Sequence, residues 1–149
     1  MRRFAATALC ILFTAALVPM AKGGVHTAKA KGEFGWIRVW GHGTIEISGK
    51  GTFVVGNLSN VQIKVDATWG EKADTIDGAE YRHFEGSVHS IGPGQHLEMR
   101  GWNLTLDTKG NGKVWVQGRG TISIDGGPAQ PWPEDQTHSK WLKVNYGSM

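Results

Sequence analysis

Glycine recurs along this chain as pairs separated by one residue, each set between short runs in which apolar and polar side chains alternate. Gly41-His42-Gly43, Gly49-Lys50-Gly51, Gly110-Asn111-Gly112 and Gly118-Arg119-Gly120 all have this form. Strict alternation marks a half-buried strand. Gly-x-Gly between two such runs supplies the positive φ that tight hairpins and sheet-bending bulges require. A phosphate-binding glycine loop follows a strand and opens a helix, whereas these glycines are followed by further strands. They are turn and curvature chemistry, and they constrain the chain to an all-β fold.

Alternating runs cover residues 34–40, 43–48, 52–56, 60–67, 82–90, 95–100, 102–107, 113–117 and 120–124, with a last one over 140–146. No segment carries a helical stripe. The stretches 41–55 and 110–124 align without a gap, and Gly35-Trp36 and Gly101-Trp102 each open a run just upstream. This pattern reads as an internally duplicated strand unit, about 33–67 and 82–124, joined by a polar linker over about 70–80. The expected fold is an antiparallel meander forming a small sandwich or barrel. A β-solenoid is the alternative, but its strands recur on a fixed rung length and these spacings vary.

At the N-terminus Arg2 and Arg3 precede an apolar run of 15 residues, Phe4 to Val18, followed by a small-residue exit. That is the form of a signal peptide over residues 1–23, and the run is shorter than the roughly 20 residues of a membrane span. The expected product is an exported domain, residues 24–149, that is periplasmic, cell-surface or extracellular, with no membrane span after cleavage. Loss of Arg2, Arg3 and Lys22 takes the 16 Lys+Arg to 13, equal to the 13 Asp+Glu. The domain is then formally neutral, and no clustered basic face of the kind nucleic acid needs is expected. Cys10 is the only cysteine and lies in the signal, so neither a disulfide nor a thiolate is expected in the exported domain. Asn57-Leu58-Ser59 and Asn103-Leu104-Thr105 match the glycosylation acceptor pattern by chance, since the Arg-rich start has a bacterial form.

All 7 tryptophans lie beyond the signal. On the first strand Ile37 and Val39 point to one face and Trp36 and Trp40 to the other, and Trp115 likewise opposes Val114 and Val116. One reading has these indoles covering the core. The other is an aromatic face of Trp36, Trp40 and Trp115 that stacks on sugar rings or anchors a partner. His83, His89 and His96 do not read as a metal site, because His83 and His89 are about 20 Å apart on a regular strand. No nucleophile elbow, zincin helix or marked carboxylate pair is present, and Ser48, Ser87, Ser90, Asp66 and Glu98 stand in no catalytic context. No catalytic residue, metal or cofactor is expected. A tail with Pro128, Pro131 and Pro133 flanking Trp132 cannot be a central strand, and Trp141 to Tyr146 is expected to dock at an edge.

The stretch Gly110-x-Gly-Lys-Val-Trp-Val-x-Gly-Arg-Gly-Thr-Ile-Ser-Ile-Asp-Gly-Gly, followed by Pro131-Trp132 and preceded by Phe84-Glu85-Gly86, resembles a group of small secreted bacterial proteins of uncharacterised function. The resemblance covers about residues 82–133. It implies an all-β envelope or extracellular protein and carries over no activity and no site residues. Export, glycine-shaped strands and tryptophan density together suggest a noncatalytic module acting by binding, with polysaccharide or an envelope protein as partner. The alternatives are a self-assembling surface protein and a carbohydrate-active hydrolase whose acid pair is assembled only in space.

Overall fold

The computed structural model describes residues 25–56, 62–75, 78–135, 137 and 139–147. Residues 1–23, expected as a signal peptide and containing Cys10, and Asn57-Leu58-Ser59 lie outside the described residues. The described chain is all-β, in five strands: β1 (His26–Gly56), β2 (Gln62–Asp74), β3 (Ala79–Ile124), β4 (Gln130–Pro131) and β5 (Leu142–Tyr146). They form one sheet of order β1-β3-β2, with β4 and β5 also pairing with β3, and it is not closed into a barrel. Every pairing is antiparallel, so the solenoid alternative, which stacks rungs in parallel, is not this fold.

The glycines act differently from the hairpin expectation. β1 runs 31 residues and β3 runs 46 without interruption. The separate runs read at 34–40, 43–48 and 52–56 are therefore stretches of one strand, and those between 82 and 124 are stretches of another. The reason is register. Gly35 lies opposite Gly118, Gly43 opposite Gly110 and Gly51 opposite Gly101. Where both strands carry glycine at the same level, they crease together and the ladder of hydrogen bonds continues through the bend. Gly101 shows why no other residue serves: its φ is +151°, and an added Cβ would lie 1.9 Å from the carbonyl oxygen of Lys50. The two similar stretches, 41–55 and 110–124, lie in β1 and β3 respectively and contribute to the same sheet.

β1 is flanked by β3 on both sides. Trp36 faces Arg100 on one side and Gln117 on the other, 17 positions apart along β3, and Ile37 faces Met99 and Val116 at the same offset. A strand that borders its partner on both edges must wind around it, which curls the sheet over its inner face. That face supplies the core: Ile37, Val39, Ile45, Ile47, Phe53, Phe84, Val88, Leu97, Met99, Leu104, Val114 and Val116 are all fully buried. Bulges keep the apolar parity inward, with His83 (φ 51°) between Tyr81 and Phe84, and Asn103 (φ 54°) before Leu104.

The tail completes this core. β5 pairs with residues 112–116 of β3, at the edge where it was expected. Tyr146 sits over Gly41 and Gly112, and Trp132 over Gly32 and Gly120, each an opposed glycine pair of β1 and β3. Both rings are buried, so an aromatic fills the space that each side-chain-free pair leaves. The polar stretch expected as a linker is partly strand. Residues up to Asp74 pair with the start of β3, and Thr75 N–H donates to the Gly78 carbonyl at 3.1 Å to close the turn.

Candidate functional site

The outer face of β1 has two halves, and the tryptophans define one of them. Trp36, Arg38 and Trp40 alternate with inward Ile37 and Val39, so all three side chains project outward. Register then sets their neighbours. Trp36 has Arg100 and Gln117 beside it, Arg38 has Glu98 and Trp115, Trp40 has His96 and Lys113, and Trp115 has Lys143 of β5 on its far side. Trp36, Trp40 and Trp115 are thus brought onto one face, each half-buried. The parity read from the sequence placed them on it.

What the sequence reading did not foresee is how closely this face is interlocked. Trp36 Nε1 donates to Glu98 Oε1 at 2.7 Å, and Arg38 Nε donates to Glu98 Oε2 at 3.0 Å. One carboxylate therefore fixes an indole and a guanidinium, and it is well placed to do so with only 18% of its side chain exposed. The Arg100 guanidinium lies over the Trp36 ring at 4.9 Å, and that of Arg38 at 5.8 Å. Arg38 also sits 5.0 Å over Trp141, whose ring meets Trp36 edge-on at 5.2 Å. Each such cation–π pair contributes about 0.5–2 kcal/mol, depending on desolvation. Arg38 was the missed residue a sequence signal marks best, since it shares parity with the tryptophans on either side of it.

Two depressions open on this face. A shallow hollow is lined by Arg38, Trp40, Gly94, His96 and Trp115. A cleft of about 490 Å³ lies toward the tail, with Phe34, Trp36, Arg100 and Gln117 on one side and Glu134 and Asp135 on the other. Glu134 pairs with Arg119 at 2.9 Å. Asp135 accepts from the hydroxyls of Thr137 and Ser139, and these bonds hold its pKa well below the usual carboxylate range. Beyond the cleft Trp102 (61% exposed) and Phe34 (37%) lie opposite each other, an apolar pair that parity alone did not single out.

The remaining tryptophans divide. Trp132 is a core residue and Trp141 joins the outer face. The sequence shows no basic run, but folding gathers Arg38, Arg100, Lys113 and Lys143 onto one side of the sheet, which corrects the expectation that no basic cluster remains. The histidines are dispersed: His83 lies 3.9 Å from Glu71, His89 faces Glu46 and Lys64, and His96 flanks Trp40.

Ser48 bonds Thr105 across the strands, and Ser90 is buried against Gln95, whose amide holds the carbonyls of Gly43 and Gly92. Asp66 faces Ser87. Two carboxylates, Glu46 and Asp107, do lie opposite each other, but on the open outer surface with Lys29 4.0 Å from Asp107. No helix among the described residues is long and apolar enough to cross a membrane. No protein-family model, curated protein or solved structure matches this chain.

Proposed function

We propose that this chain is an exported, noncatalytic β module that acts by binding a polysaccharide through the outer face carrying Trp36, Trp40 and Trp115. The observation that carries this reading is the gathering of three half-buried indoles around open depressions on one half of a sheet whose core is complete without them. Indole rings beside hydrogen-bonding charged groups suit the mixed surface of a sugar, with its apolar C–H faces and polar rim. Half-buried rings held by neighbours also lose little freedom on binding.

The test is retention of the purified protein on a panel of insoluble and immobilised polysaccharides, repeated with Trp40→Ala and Trp115→Ala. Retention by at least one polymer, lost in both variants while thermal unfolding remains cooperative, is the expected result. Retention that neither substitution changes removes this face from the reading.

A second reading, self-assembly, is supported by β2. Its 13 residues pair with β3 along one edge, and among the described residues nothing pairs with the other. An open edge of that length is a template for strand addition, though Lys64, Asp66, Glu71 and Lys72 along it oppose that. Light scattering behind size exclusion across a concentration series separates the two. Mass that grows with concentration favours assembly, and a constant monomer mass favours the binding module.

A further inference from the structure

We infer that the ligand of this face is an acidic polysaccharide, with a carboxylate-bearing sugar seated in the hollow of Arg38, Trp40, His96 and Trp115 and a second acidic group taken by Arg100. This rests on the binding reading above and narrows it to a ligand class. Trp36 offers a ligand no bare ring. Its ring already carries the guanidinium groups of Arg100 and Arg38, its edge meets Trp141, and its N–H is spent on Glu98. A sugar meeting this part of the face therefore encounters guanidinium donors rather than a bare indole. Trp36 and Trp141 act as positioning residues that hold Arg38 and Arg100 in place.

Charge points the same way. Arg38, Arg100, Lys113 and Lys143 surround the tryptophans, and the carboxylate among their cross-strand neighbours here, Glu98, is occupied by Trp36 and Arg38. Among the described residues no carboxylate lies within ion-pairing distance of Arg100, Lys113 or Lys143. Across the cleft that Arg100 lines, Glu134 is paired with Arg119, while Asp135, bonded to the hydroxyls of Thr137 and Ser139, keeps its charge and offsets one cation of the four. A chain that is formally neutral beyond residue 23 thus concentrates an excess of positive charge on its aromatic face. Guanidinium presents paired donors that match a carboxylate.

Among anionic partners, Glu98, whose two oxygens accept from Trp36 and Arg38, interrupts the positive charge in the middle of the face, which suits spaced acid groups better than a densely charged phosphate chain. The indoles are half-buried and ringed by charges, so they are not the protruding apolar side chains that enter a bilayer. Trp40 and Trp115 border the same hollow as Arg38, which places an apolar surface for a sugar ring beside a donor for its acid group. Spaced carboxylates on a hydroxyl-rich chain satisfy all three features.

The experiment is a titration of the purified protein with polygalacturonate, alginate and hyaluronate, beside methyl-esterified polygalacturonate, a neutral glucan, polyphosphate and a single-stranded oligodeoxynucleotide. At least one acidic polysaccharide should bind, about tenfold or more tightly than the esterified or neutral polymers, and more weakly as NaCl rises from about 0.05 to about 0.5 M. Arg38→Gln and Arg100→Gln should each weaken it roughly tenfold, while Lys31→Gln, on the other half of the sheet, leaves it unchanged. Arg100 is exposed, so its variant tests the site without disturbing the core. Neutral or esterified polymer binding as tightly overturns the acidic class and leaves the polysaccharide reading standing. Polyphosphate or oligonucleotide binding as tightly as the acidic polysaccharides also overturns it, by reducing the face to bare charge. Binding to none of the polymers overturns both readings.

Discussion

The two halves of β1 rest on the same kind of core and carry opposite outer faces. Ile37 and Val39 in one half and Ile45 and Ile47 in the other are all fully buried, and both halves are bordered on each side by β3. Outward, the first half shows Trp36, Arg38 and Trp40, locked through Glu98 and Trp141. The second shows Thr44, Glu46 and Ser48, beside an isolated and exposed ion pair, Lys29 with Asp107 at 4.0 Å. The same inner packing therefore lies under short polar side chains in one half and under indoles in the other. Burial of the core does not call for indoles on the outer face, which supports the binding role proposed for them.

The contrast breaks most severely if the shared inner face is damaged. Phe53 is fully buried against Tyr81 and Phe84, with ring centroids at 5.7 and 5.6 Å. Phe53→Ala should cost about 3–5 kcal/mol in chemical denaturation, and both outer faces should be lost with it. The creases come next. Gly101→Ala forces a Cβ against the Lys50 carbonyl at positive φ and should cost about 3 kcal/mol or more. Gly126 also has positive φ, 71°, but nothing lies within 4 Å of an added Cβ, so Gly126→Ala should cost only about 1 kcal/mol. Equal losses at the two glycines would mean that backbone conformation, and not the close approach of β1 and β3, sets the need for glycine.

Trp115→Ala probes the same contrast from the outer face. It removes a half-buried indole from the outer face without opening the core, so a stability loss of about 1–2 kcal/mol is expected, together with loss of polysaccharide retention. Ser48→Ala in the polar half should leave retention intact. A Trp115→Ala loss as large as that of Phe53→Ala would make the indole a core residue and return it to the covering role that the sequence also allowed.

The all-β class, the inward aliphatic parity and the outward tryptophans were legible in the sequence, because each is a local period-two signal. The continuity of β1 and β3 was not. A glycine pair such as Gly41 and Gly43 is compatible with a hairpin or a crease, and the choice is made by Gly110 and Gly112, far along the chain. The site divided in the same way. Trp36 and Trp40 were visible from alternation, whereas Glu98, which organises them, lies 62 positions from Trp36 and 60 from Arg38. No local pattern reports a partner at that separation, and charges dispersed along the sequence gave no sign that register would collect them.

The smallest expected effect comes from the far end of the polar half, where β1 begins. Asp125 accepts from Thr27 N–H at 2.8 Å and pairs with His26 Nδ1 at 2.9 Å, tying the start of β1 to the end of β3. The His26 bond, then the backbone bond, lowers the Asp125 pKa below its ordinary value. A depressed carboxylate contributes stability that is fully present above the unfolded value, about 3.9, and is lost as pH falls through the lower folded value. Because the Asp125 side chain is 45% exposed, solvent screening keeps that contribution under about 1 kcal/mol. Asp125 also has φ 52°, a conformation asparagine tolerates, so Asp125→Asn isolates the charge from the turn. The variant should be a few tenths of a kcal/mol less stable at neutral pH, and the gap to the parent should close below about pH 4 as the parent's own Asp125 protonates. Since this contact lies outside the aromatic half, polysaccharide retention should be the same in both proteins. Altered retention would couple the two halves of the sheet, and the separation between fold and binding face would then fail at its least expected point.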